Sequence, residues 1–285
     1  MINITDGEAT DGDPTSPANA LKNLASKDGG VLLFNIHVSS KGATPVEFAD
    51  TDATLPDEFS KLLYTISRSG EVEKSFVLNS KTRFYSIAAD PGGKYIALGL
   101  GKRDIIVWDV AAQSSAACLE GHRRKVLSVA FSTDGRTLVS GSADMSVRIW
   151  NIANRTCDAV LHGHTNDVNA VHVSPDGKWI ASAGDDGVIF VWDAASFKPA
   201  VKITAGAPVH ALAFDPSGAF LISGGADRMI RCWDVRTGRT IGTLDGHDGA
   251  VRGISVSKDG EKLASCGEDG RVICWTRANR KAEVI

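Results

Sequence analysis

The sequence predicts an all-β fold assembled from one repeated four-stranded unit, and three observations carry that expectation. Trp108, Trp150, Trp192, Trp233 and Trp275 recur at spacings of 42, 42, 41 and 42 residues. Each lies in a matching apolar stretch: "GKRDIIVWDV", "ADMSVRIWNI", "DDGVIFVWDA", "ADRMIRCWDV" and "EDGRVICWTR". An apolar period of about 3.6 residues never persists in this region, so helices are expected to be nearly absent.

Within each unit the elements keep one order. An apolar strand leads into a tight turn, Asp134-Gly135, Asp176-Gly177, Ser217-Gly218 or Asp259-Gly260, and such dipeptides join antiparallel strands because glycine takes positive φ at little cost. A second strand of L/I-x-S type comes next, then another polar turn, the Trp strand, and a fourth strand.

The first 79 residues keep this outline less clearly. "SKDGGVLLFNI" places Phe34 in the Trp position, and "FSKLLYTISRSGEVEKSFVL" places Tyr64 there ahead of a fourth strand. With these the anchors number seven, and the first two intervals are 30 and 44 residues. The short interval leaves only "ADTDATLPDEF", residues 49–59, for the first two strands of unit two, which is therefore expected to be incomplete. "MINITDG" aligns with "VAFSTDG", so the chain is expected to begin inside a unit, with a further segment upstream conceivable. Ring closure is expected between "KAEVI" and the N-terminal strands.

The Gly121-His122, Gly163-His164 and Gly246-His247 dipeptides, in phase with Trp108-Asp109, Trp192-Asp193 and Trp233-Asp234, resemble the WD-repeat β-propeller family, whose blades have periods of about 40 to 45 residues. The resemblance implies a seven-bladed WD-repeat β-propeller with blade two incomplete. It also implies a single domain over 1–285, with degenerate blades one and two in 1–79 and five clear repeats in 80–285. Residues 80–99, with the degenerate units before them, are similar to the propeller subunit of the superkiller RNA-decay complex, although the five clear units here exceed what would follow that point in that relative.

Composition narrows the function. The net charge of -3 on 285 residues gives no global reason to bind duplex nucleic acid or an anionic membrane. The odd count of five cysteines, without a C-x-x-C pair, reads as reduced core residues of an intracellular protein, cytoplasmic or nuclear. The N-terminus carries no apolar signal region, and no stretch approaches the apolar length of a membrane helix.

A Ser/His/Asp constellation is what nucleophilic catalysis needs, but here it recurs in register. His122, Ser140, Asp144 and Trp150 are succeeded in the same phase by His164, Ser182, Asp186 and Trp192, and by His247, Ser265, Asp269 and Trp275. Three copies around a ring suit an internal tie, in which a histidine spans a serine and an aspartate and the serine meets the indole N–H. In the WD-repeat family such a tetrad links the outer and inner strands of a blade. Unit six has Ala205 in the His position, while unit three has Leu98 and Lys102 for Ser and Asp; both are expected to be less firmly tied.

Two other motifs carry little. "GLGKRD", residues 99–104, lacks the spacing of a phosphate loop and sits between strands, so it is expected to be a turn. "HGH", residues 162–164, lacks a third metal ligand.

The remaining signal is basic. Lys102 and Arg103 lie in one turn, and Arg123, Arg124 and Lys125 in the loop after Gly121-His122. In a propeller the turn between the second and third strands and the loop entering the next blade share the top face, so these charges are expected to be neighbours there. A solvated rim is the plain alternative; a docking site for an acidic partner segment is the sharper one. Met145, Asn166, Asp167, Arg228, Met229, Asp248 and Arg271, with Asp185, lie further round that face and are candidate partner-binding residues.

The expected function is therefore a non-enzymatic protein-interaction scaffold or adaptor in a multi-subunit complex, a monomeric propeller needing no cofactor or metal. A reader of a short peptide or modified tail at the central channel is the alternative, and a catalytic propeller is expected least. A tail reader needs an aromatic or acidic cage, and five of the six Trp are spent in the units, with Trp179 left in a strand.

Overall fold

A computed structural model describes residues 60–66, 74–80, 83–276 and 282–284, the first two segments and the last as backbone alone. Two compact bodies divide the chain, Met1–Arg83 and Phe84–Ile285. In the first, β1 (Ser60–Ile66) and β2 (Lys74–Ser80) form an antiparallel hairpin that pairs Tyr64 with Phe76. Phe34, the first two strands of unit two, the count of seven and the closure of the ring lie outside the described residues.

Among the described residues of the second body every regular element is a strand. Units three to seven form five four-stranded antiparallel sheets, each in simple sequence order. Unit three is β3 (Phe84–Ala89), β4 (Tyr95–Leu100), β5 (Ile105–Asp109) and β6 (Ser114–Leu119). Unit four is β7 (Val126–Phe131), β8 (Thr137–Ser142), β9 (Val147–Asn151) and β10 (Thr156–Leu161). Unit five is β11 (Val168–Val173), β12 (Trp179–Gly184), β13 (Val188–Asp193) and β14 (Pro199–Thr204). Unit six is β15 (Val209–Phe214), β16 (Phe220–Gly225), β17 (Ile230–Asp234) and β18 (Thr240–Leu244), and unit seven is β19 (Val251–Val256), β20 (Lys262–Gly267), β21 (Val272–Thr276) and β22 (Ala282–Val284). Ala282–Val284 of "KAEVI" thus supply the fourth strand of their own sheet, paired with β21.

First strands of successive sheets abut, β3 to β7, β7 to β11, β11 to β15 and β15 to β19. The sheets therefore pack face to face, and the cores lie between them. One core joins Ile105, Val107 and Leu119 of unit three to Val126, Leu138 and Trp150 of unit four. The next joins Ile149 and Leu161 to Val171, Ile180 and Trp192, and a third joins Ile189 and Val191 to Leu212, Leu221 and Trp233. The indoles of units four, five and six pack on the preceding sheet, and burying so large a ring accounts for its recurrence.

Second strands are covered on both faces, so β4, β8, β12 and β16 are buried along nearly their whole length. That leaves room only for small or aliphatic side chains, as in "TLVSGS" and "WIASAG". Fourth strands face solvent on the far side, and β18 is exposed at all but its last residue. None of the five cysteines is in a disulfide, yet none is a core residue: Cys118 is exposed and the other four are half-buried. They stand on third and fourth strands or on β20, away from the fully covered positions.

The turns repeat as well. The aspartate after Trp accepts backbone N–H groups of the next turn, Asp109 from Ala112 at 2.8 Å, Asp193 from Ser196 at 2.8 Å and Asp234 from Thr237 at 2.8 Å. This Asx turn fixes the hairpin into the fourth strand, which gives the Trp-Asp dipeptide its physical reason.

Candidate docking site

Three of the sheets carry the same buried tie. In unit four His122 Nδ1 lies 2.9 Å from Asp144 Oδ2 and Nε2 lies 2.7 Å from Ser140 Oγ, whose oxygen accepts the Trp150 indole N–H at 2.8 Å. In unit five the corresponding distances for His164, Asp186, Ser182 and Trp192 are 2.9, 2.8 and 2.9 Å. In unit seven His247 is 2.9 Å from Asp269 and 2.8 Å from Ser265, which accepts from Trp275 at 2.9 Å. With Nδ1–H donating to the carboxylate, Nε2 accepts the serine proton, so every partner is satisfied. The histidines and serines are buried, and nothing is left exposed to act as a nucleophile.

The glycine before each histidine is required by crowding. A Cβ on Gly246 would lie 2.7 Å from Trp275 Cη2, and one on Gly163 would lie 3.0 Å from Phe190 Cζ. The histidine loop can lie flat on the ring only without a side chain there.

Burial alone would raise the Asp144 carboxyl, but hydrogen bonds from His122, Ser146 and the Arg123 backbone outweigh it and hold the group well below the usual carboxylate range. Asp269 is lowered in the same way, by Asp248 and Arg271 backbone N–H groups and by His247, against burial.

Where the pattern departs, other contacts take over. Unit six keeps Trp233 Nε1 to Ser223 Oγ at 2.8 Å, while Asp227 pairs with Arg231 at 2.5 Å, and Ala205 occupies the His position half-buried. In unit three Leu98 fills the serine position at 1% exposure, and Lys102 is exposed.

The tie also shapes what lies above it. Asp144 Oδ2 accepts the Arg123 backbone N–H at 2.8 Å, and Ser142 Oγ donates to the carbonyls of Arg124 at 3.2 Å and Lys125 at 2.9 Å. The same bond holds Thr165 to Asp186 and Asp248 to Asp269, each at 2.9 Å. Only in unit four is the pinned loop Arg-Arg-Lys; its counterparts are Thr165-Asn166-Asp167, Gly206-Ala207-Pro208 and Asp248-Gly249-Ala250.

Lys102, Arg103, Arg123, Arg124 and Lys125 line one open depression of about 630 Å³, together with Gly101, Asp104 and Glu120. Two of the cations are engaged. Arg124 Nη1 donates to the Ala143 carbonyl at 3.3 Å and lies 3.9 Å from Asp167, while Lys125 Nζ sits 5.3 Å from the Tyr85 ring centroid. Lys102, Arg103 and Arg123 have no side-chain partner among the described residues. "GLGKRD" is the turn that presents the first two, with Arg103 at φ 83°.

The other candidates fall in two groups. Met145 and Arg228 are exposed at turn positions with φ 68° and 71°, Asn166 is exposed, and Met229 is half-buried. Asp248 and Arg271 are brought together as an exposed pair at 2.6 Å, and Asp167 bridges to Arg124. Exposed pairs of this kind add little stability, and they leave less charge free for a partner.

Sequence reasoning missed a second row. Each first strand carries a bulge at its second residue: Tyr85, Leu127, Asn169, His210 and Arg252 fall where the register shifts. A bulge re-aims the side chain it frees. Asn169 Nδ2 reaches Asp185 Oδ1 at 2.6 Å and His210 Nδ1 at 3.3 Å, and Arg252 pairs with Glu268. Burial, then the nearby Arg252, push the His210 imidazole down. The available signal was the contrast between the steady apolar residue that opens each first strand, valine in units four to seven, and the variable residue after it.

Among the described residues no helix is long and apolar enough to cross a membrane, and no group of three or more His, Cys, Asp or Glu side chains could hold a metal. His162 is exposed, and its neighbour His164 is bound in its tie. Trp179 is half-buried against the core between units five and six.

Stacked four-stranded sheets, with indoles packed between them and a buried histidine tie in three of the five, define a β-blade repeat protein. Residues 113–151, 155–193, 198–234 and 238–276 match the family model described as WD domain, G-beta repeat. These matches span more than half of the chain, which belongs to the WD40-repeat family. The first match runs from β6 to β9, so a sequence repeat takes the fourth strand of one sheet and three strands of the next. β3, β4 and β5 of unit three lie outside the matches, in a sheet with Leu98 and Lys102 at the serine and aspartate positions of the tie. No curated protein matches the chain. WD40 repeats in general serve as protein-interaction scaffolds and are generally non-catalytic modules.

Proposed function

We propose that this chain is a non-enzymatic adaptor within a multi-subunit complex of the cell interior, cytoplasmic or nuclear, and that it works as a single propeller domain, one copy per assembly. Its docking face is the end of the sheets where the turns between second and third strands emerge. The depression of units three and four takes an acidic segment of a partner protein.

One observation carries this reading: five cations line a single depression, three of them free, and the loop that brings Arg123, Arg124 and Lys125 to it has its backbone pinned by the Asp144 and Ser142 hydrogen bonds. A pinned loop loses little further freedom on binding, and complementary charge speeds and orients association. Free cations without such bracing would support only a solvated rim.

Lysine-directed crosslinking and mass spectrometry of the complex purified from its native cell test the reading. Crosslinks from Lys102 and Lys125 to an acidic segment of a partner are expected. Crosslinks confined to Lys94, Lys178 and Lys198, in turns at the opposite end of the sheets, would overturn it.

A further inference from the structure

The depression is not uniformly basic. Asp104 and Glu120 line it with the five cations, yet among the described residues neither carboxylate forms an ion pair with any of them. Ile105 pairs with Leu119, which sets Asp104 and Glu120 side by side at the start of β5 and the end of β6. After burial, Asp104 and Glu120 are what lift the thiol of the exposed Cys118, so both lie near the same sulfur on β6. The free cations share these segments: Asp104 closes the turn that carries Lys102 and Arg103, and Glu120 opens the loop that carries Arg123. Charges of both signs, unpaired in one concavity, leave a requirement that a single-signed ligand cannot meet.

We infer that the segment seated in this depression carries both signs of charge: acidic side chains against Lys102, Arg103 and Arg123, and a lysine or arginine against Asp104 and Glu120. The inference rests on the docking reading above and specifies its partner. A polyanion would satisfy the cations but would be held against two carboxylates, and like charges brought together act against the wrong partner. A mixed-charge peptide meets both signs. Because Arg124 and Lys125 are already engaged, the acidic part need offer only a short run of carboxylates.

The test uses the full chain and two labelled peptides of equal length, one of repeating Glu-Glu-Lys and one of Glu alone, with inositol hexakisphosphate as a compact polyanion. The parent is expected to bind the Glu-Glu-Lys peptide about fivefold more tightly than the all-Glu peptide, in spite of its lower net charge. The variant Asp104→Asn/Glu120→Gln is expected to reverse that order, weakening the mixed peptide and tightening the all-Glu peptide and the polyanion.

If the parent prefers the all-Glu peptide or the polyanion, and the double variant tightens every ligand, the two-sign inference falls. The docking reading then still stands, provided that Lys102→Ser/Arg103→Ser/Arg123→Ser weakens both peptides. If that triple variant leaves both affinities unchanged, or the parent binds neither peptide, both readings fall.

Discussion

Asp144 Oδ2 stands 2.9 Å from His122 Nδ1 and accepts the backbone N–H of Arg123 at 2.8 Å. One carboxylate therefore completes a buried tie and fixes the first residue of the basic loop. In Asp144→Asn the amide oxygen is a weaker, uncharged acceptor for both donors, and the expected cost at neutral pH is about 1 to 3 kcal/mol. The lowered carboxyl sets the sign with pH. Its stabilisation is complete above the ordinary carboxylate value near about 4 and is lost as pH falls below it, where the unfolded chain takes up a proton first. Denaturant midpoints at neutral and acid pH should show the gap between parent and variant shrinking in acid; a constant gap would refute this role.

Gly246 tests why glycine precedes the histidine. Its added Cβ would meet the buried Trp275 ring at 2.7 Å, and the ring is held by its indole bond to Ser265. Gly246→Ala should cost about 1 to 3 kcal/mol by overpacking. An unchanged thermal midpoint would show that the loop moves aside freely.

His172 on β11 is pushed by burial down to about 4, and its Nδ1 is buried without a hydrogen-bond partner. A histidine lowered in the folded state stabilises fully above its unfolded value and loses that contribution as pH falls toward the folded one. Between pH about 6.5 and 4 the parent should therefore lose up to about 3 kcal/mol relative to His172→Gln, at about 1.4 kcal/mol per unit. Parallel stability curves for parent and variant over that window would contradict it.

Unit six lacks the histidine of the tie, and its fourth strand is largely exposed. Local opening should be easiest where buried ties are fewest. Backbone amides of β17 and β18 are expected to exchange with deuterium faster than those of β9 and β10 in unit four; equal protection would show that the Trp233–Ser223 bond and the Asp227–Arg231 pair suffice.

Much of this was legible in the chain because a repeat is its own control. One His122-Ser140-Asp144 set could be chemistry, whereas three sets in phase with buried indoles read as architecture, and that phase fixed the strand order of units three to seven. The basic residues could also be set on one rim, since the turns of a repeated unit emerge at fixed ends. Contacts between units were not legible. Lys125 over Tyr85 and Arg124 toward Asp167 join residues about 40 positions apart, and no local pattern tells an engaged cation from a free one. The bulges at Asn169 and His210 left only a faint mark, the variable residue after the opening valine, because a strand with one extra residue keeps the same apolar outline. The exposure of Cys118 escaped for a similar reason: an apolar run on a fourth strand is covered on one face only.

The central claim separates the residues that hold the blades from those that meet a partner. The most direct measurement is the affinity of the full chain for a labelled Glu-rich peptide, compared with Lys102→Ser/Arg103→Ser/Arg123→Ser, with the denaturant midpoint taken on the same samples. The triple variant should bind about tenfold or more weakly, about 1.4 kcal/mol or more, while its midpoint stays within about 0.5 kcal/mol of the parent. Unchanged affinity in a folded triple variant would contradict the account.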